Sequence, residues 1–122
     1  PDEWSPGEVL NHLRASEEVW MHSVHAMLAH SNPRLKEIHP RQWTQEASPY
    51  TGLPFETVLE NFALRRQALL YVLNDLSEDD WQRPAVIDRK AHTVSTHVRR
   101  MVRHESRHCD ELETLLAWAS QD

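Results

Sequence analysis

Helix breakers in this sequence are gathered in one place, and that distribution decides most of what the chain can become. Four of its seven prolines lie between Ser31 and Pro54, together with Gly52, one of only two glycines. On either side the chain runs through long stretches of helix-favouring residues with little β-branched alternation, so an all-α domain without strands is expected. The stretch "WSPGEVLNHL" opens the first helix, with Ser5 placed to cap, Pro6 at the first helical position and Glu8 completing an S-x-x-E capping box. That helix should reach about Ala29, where Asn32-Pro33 ends it. Residues 31–54 read as an irregular crossover with at most one short turn, and a loop of that length in a small domain suggests a strap across the mouth of a site. A second helix spans about 55–76, and Ser77-Glu78-Asp79-Asp80 marks a further single turn. After "WQRPAVIDRKAH" a third long helix starts near Thr93 and continues almost to the last residue.

No repeat or linker divides the 122 residues, which read as one domain over 1–122. With 13 basic residues against 19 acidic ones the formal charge is −6, which argues against nucleic acid or an anionic membrane as a partner, because both are bound through excess Lys and Arg. The apolar runs are short, no leader pattern opens the chain, and the single Cys109 excludes an internal disulfide. A soluble, cytoplasmic protein is therefore expected. Nine histidines and five tryptophans are the compositional feature that points to chemistry.

Two of those histidines sit in "VRHESRHCDEL", where His104, Glu105 and His108 spell H-E-x-x-H. Imidazoles at i and i+4 lie roughly 40° apart around a helix and one turn apart along it, so one ion can touch both. Setting His104 at zero, Val94, His97, Met101, His108, Leu112, Leu115 and Ala119 fall within an arc of roughly 80°. The pair thus lies in the apolar seam of the third helix. A lone histidine on such a face is more often a hydrogen-bonded core residue than a ligand. Two in one seam favour a shared metal, since burying imidazoles without partners is costly.

On the first helix Val9, Leu13, Trp20, Val24 and Met27 make the apolar stripe. His12 stands at its edge beside Ser16 and Ser23, so a third imidazole can enter the core from another helix. His22 and His25 point to solvent. His97 could serve as a fourth ligand or support one, although a plain core histidine is the simpler reading. Cys109 lies roughly 140° from His104 and is excluded as a ligand. His30, His39 and His92 lie in or beside loops, and only His39, in the crossover, is placed to reach a site mouth.

Two charged residues are candidate catalytic groups. Glu105, at the margin of the seam, could orient a ligand, act as general base, or simply pair with Arg103 or Arg107 at the surface. Arg66 falls inside the apolar arc of Val58, Phe62, Leu69, Leu73 and Leu76, where a guanidinium needs a carboxylate, a ligand anion or an escape to solvent. The tryptophans, Trp4, Trp20, Trp43, Trp81 and Trp118, read as packing anchors, with Trp43 in the crossover the one nearest a possible site.

A zinc peptidase is not what these residues describe. It needs a third ligand downstream and a sheet edge to hold an extended peptide, whereas "CDELETLLAWASQD" offers neither a glycine turn, a further histidine nor a strand.

The order and spacing of "WSPGEVLNHL", "FETVLENFALRRQALLYVLNDLSEDDWQRP" and "RKAHTVSTHVRRMVRHESRHCDEL" instead resemble the DinB-like (DinB/YfiT) superfamily, over nearly the whole chain. The resemblance implies an up-and-down-type four-helix bundle, often a homodimer, with nickel or zinc held by three histidines, which by position are His12, His104 and His108. It also implies a small-molecule substrate. Characterised members of the superfamily include transferases and isomerases that use a low-molecular-weight thiol (bacillithiol, mycothiol or glutathione), with the metal activating it as the thiolate. The chain departs from the family in one respect, lacking the helix that usually precedes the W-S-x-x-E segment. The expectation is a missing N-terminal helix, or a bundle completed by a second subunit. A divalent-metal-dependent thiol S-transferase is therefore set against a non-catalytic metal-binding or stress-response module of the same fold.

Overall fold

A computed structural model describes residues 4–36 and 52–119. The elements run α1 (Pro6–Ala29), β1 (Arg34–Leu35), α2 (Phe55–Asn74), α3 (Glu78–Trp81), β2 (Pro84–Ile87), β3 (Lys90–Thr93) and α4 (Val94–Ala119). The chain is mostly helical, as its sequence requires. The start of α1 is a complete capping box, with the Glu8 amide donating to Ser5 Oγ at 3.2 Å and the Ser5 amide donating to Glu8 Oε1 at 3.3 Å. Ser77 and Asp80 repeat the arrangement at α3, each amide reaching the other residue's side chain at 3.1 Å. Thr93 and Thr96 exchange bonds of the same kind at the entry to α4.

The expectation of no strand is corrected by a small three-stranded sheet, in which β1 pairs parallel to β2 and β2 pairs antiparallel to β3. Its hairpin turns on Asp88-Arg89, both with positive φ (48° and 70°), the backbone that a two-residue connection between right-twisted strands demands. Glycine or asparagine usually supplies that conformation, so an Asp-Arg pair gives little warning of it. β1 lies within the segment read as irregular crossover. Residues 37–51, including His39 and Trp43, lie outside the described residues.

The sheet extends the core at one end of the helices. Ala85 and Ile87 face Met27 and Val94, while Trp20, Val24, Leu69, Leu73 and Met101 form a second cluster, and Leu76, Trp81 and Val98 pack against both. Arg83, leading into β2, donates through Nε to the Met27 carbonyl at 3.0 Å and through Nη2 to the His30 carbonyl at 3.4 Å, tying the hairpin to the exposed C-terminal end of α1.

α1 is the central element and packs against both α2 and α4. From Val9 to Glu17 every residue is buried, so Asn11, His12, Arg14, Ser16 and Glu17 sit inside along with the apolar stripe. A helix surrounded on all sides must provide internal partners for its polar groups, and those partners build the site described next. The described surface also carries apolar side chains, Leu59, Leu64, Leu70 and Tyr71 on α2 and Val102, Leu116 and Trp118 on α4. Trp118 is thus a surface residue and not the expected packing anchor. Among the described residues no helix is long and apolar enough to cross a membrane.

Candidate metal centre

Three imidazoles meet where the N-terminal half of α1 faces the middle of α4. His12 is fully buried, and His104 and His108 are half-buried one turn apart along the seam. One ring nitrogen from each lies within 4.8 Å of the other two. The ring centroids are 4.6 Å apart for His12 and His108, 4.7 Å for His104 and His108, and 5.2 Å for His12 and His104. No two rings stack face to face, and their edges converge.

The separation of two of those nitrogens tests whether an ion would fit. His12 Nε2 and His104 Nε2 stand 3.4 Å apart. Ligand nitrogens at about 2.0–2.1 Å from a tetrahedral ion are separated by about 3.3–3.4 Å. Burial and the neighbouring His108 and Arg107 hold the pKa of His104 below the usual histidine value, which favours the neutral ring a metal requires. The donor set and its spacing therefore fit a divalent metal ion.

Trp4, in the residue before the α1 cap, covers the same group of rings, 4.9 Å from His12 and stacked 6.3 Å from His108. The outer nitrogen of His108, Nδ1, meets Glu111 Oε2 at 3.0 Å. His104 differs, for its Nδ1 is buried without a hydrogen-bond partner among the described residues.

A family model described as the DinB superfamily matches residues 1–112, which include all three histidines and the capping box that starts α1. The chain belongs to the DinB superfamily. No curated protein and no solved structure matches it closely enough to serve as a relative or a neighbour. DinB superfamily membership agrees with the helical fold and with a cluster of three histidines contributed by two helices.

Beside the histidines lies an ion-pair network linking all three long helices. Arg66 of α2 grips Glu17 of α1 with two bonds, Nε to Oε1 at 3.1 Å and Nη2 to Oε2 at 2.7 Å, and the same Nη2 meets Glu105 of α4. Burial alone would lower the pKa of Arg66, but the two carboxylates outweigh it and raise the value further. Burial pushes the Glu105 carboxyl up, against the pull of Arg66. A second set of contacts joins α1 and α2, in which Arg14, also buried, meets Glu18 at 2.7 Å and Asn11 at 3.3 Å, and Arg65 meets Glu18 at 3.1 Å.

The structure revises the reading of Glu105, supplies the carboxylate that Arg66 was expected to need, and agrees with the simpler reading of His97 as a core residue. Glu105 pairs with Arg66 across the helices instead of with Arg103 or Arg107 at the surface. Arg66 finds its carboxylate in Glu17, a residue the reading did not single out. His97 lies against Trp20, ring centroids 4.7 Å apart, and is not among the three converging rings. Both of its ring nitrogens are buried without a partner among the described residues. Glu111 was also overlooked. It stands three residues after His108, the spacing at which helical side chains meet, so the signal was present.

Proposed function

We propose that this DinB superfamily member is a divalent-metal-dependent enzyme in which His12, His104 and His108 hold one Zn²⁺ or Ni²⁺ and a low-molecular-weight thiol attacks a small electrophilic substrate. The observation that carries the reading is the meeting of three imidazoles from two helices at a separation suited to one ion. His12, His104 and His108 would hold the ion as neutral ligands and so would leave its positive charge undiminished. The ion would supply the positive charge that brings a thiol's pKa toward neutrality.

The chain's own side chains fit the remaining roles. Burial and the nearby Glu105 push the Cys109 thiol pKa up, so this side chain is not assigned as the nucleophile, and the reading gives the reactive sulfur to a cosubstrate, as the family resemblance implies. Trp4 shields the rings from bulk water on one side. Glu105 and Arg66, the candidate catalytic pair, are assigned to bracing α4 beside His104, since each is already engaged by the other. The same reading takes the protein as a homodimer that covers the apolar residues of α2.

Metal-loaded protein should transfer at least one of bacillithiol, mycothiol and glutathione to small electrophiles such as epoxides or activated aryl halides, and His104→Ala should lose at least a hundredfold in kcat/KM. Turnover absent with every thiol, or unchanged in the variant, would leave a non-catalytic metal-binding module as the better description.

A further inference from the structure

Glu111 lies outside the H-E-x-x-H pattern, yet its carboxylate makes a direct contact to one of the three histidines. A neutral imidazole has one protonated nitrogen and one lone pair, and a carboxylate can only accept, so the 3.0 Å bond places the proton of His108 on Nδ1. Its Nε2 then keeps the lone pair. The neighbouring His104 has no such help among the described residues, its Nδ1 being buried without a hydrogen-bond partner there. Among the described residues, only one of the cluster's two α4 histidines therefore has a carboxylate that fixes its tautomer.

We infer that Glu111 is a positioning residue that locks His108 as the Nδ1–H tautomer, holding its Nε2 ready for a divalent cation shared with His12 and His104. This rests on the metal reading for its consequence but not for the contact itself, which the structure shows directly. A carboxylate on the outer N–H fixes the ring's orientation and makes the ligating nitrogen more basic, and removing such a partner typically weakens metal affinity about 10–100-fold. The Glu111 side chain is 41% exposed, and solvent screening sets the expected effect near the lower end.

The test uses the full chain and two readouts. Long-range proton–nitrogen NMR on metal-free protein should find His108 protonated at Nδ1 in the wild type, a mixture of tautomers in Glu111→Ala, and Nδ1 protonation largely retained in Glu111→Gln, whose amide oxygen still accepts. Zinc titration against a chromophoric chelator should show affinity falling about tenfold in Glu111→Ala and less in Glu111→Gln, with His108→Ala losing much more. A wild-type ring protonated at Nε2, or a tautomer unchanged by Glu111→Ala, overturns the proposal. A zinc loss in Glu111→Ala as large as in His108→Ala also overturns it, since that would make Glu111 a ligand. If no variant and no wild-type protein binds zinc, the metal reading fails, while the tautomer experiment still decides whether Glu111 holds the ring.

Discussion

Arg66→Ala is expected to lower the unfolding free energy by about 3 kcal/mol, the lower end of the range for removing one member of a buried ion pair. The size follows from what is left behind. Glu17 is 1% exposed, and without the guanidinium it faces Glu105 with no cation between them. The Arg66 side chain is itself 27% exposed, so water entering its place will recover part of the loss. Arg66→Lys should fall between, because an ammonium cannot reproduce the two-pronged grip on Glu17. Adding Glu17→Gln to Arg66→Ala should restore more than 1 kcal/mol, since the stranded charge disappears. Urea unfolding at neutral pH measures all three, and an Arg66→Ala cost below about 1 kcal/mol would show that the network does not brace the helices.

His97 should make the protein acid-sensitive. Burial, then the charges of Arg100 and His92, depress its pKa from 6.5 to about 4. Between those values the unfolded chain binds a proton that the folded one refuses, so stability falls as the pH is lowered through this window. At 1.36 kcal/mol per unit the loss from this one ring approaches about 3 kcal/mol by pH 4. His104, also depressed by burial, adds to the fall. Replacement by phenylalanine keeps an aromatic ring against Trp20 and removes the titrating group together with its two unpartnered nitrogens. The difference in unfolding free energy between wild type and His97→Phe should therefore shift by about 2–3 kcal/mol from pH 7 to pH 4, in favour of the variant at low pH. Parallel pH profiles would contradict the account.

Much of this was legible in the residues. Capping signals at Ser5 and Ser77 are local, a hydroxyl and a carboxylate three residues apart, and both form as read. The α4 seam follows from helical period alone, and His97 and Met101 are indeed buried while His104 and His108 are half-buried. What the period could not give is how far each face is covered. α1 is enclosed from Val9 to Glu17, so an edge position such as His12 becomes fully buried, and Glu17, which looks like a surface residue in sequence, becomes the inner end of a cross-helix ion pair.

The sheet escaped notice for a different reason. Its strands are two to four residues long, too short for alternation to rise above background, and the hairpin uses Asp88-Arg89 in a conformation usually given to glycine. Arg66 shows the middle ground, where the sequence demanded a partner for a guanidinium in an apolar arc but could not say which carboxylate, 49 residues upstream, would meet it.

Metal content decides whether three imidazoles from two helices hold one ion. Protein purified without chelators, reconstituted with Zn²⁺ or Ni²⁺ and freed of loose metal, should retain about one ion per chain by elemental analysis, and His12→Ala, His104→Ala and His108→Ala should each retain almost none. Wild-type protein without stoichiometric metal, or alanine variants that keep it, would contradict the account.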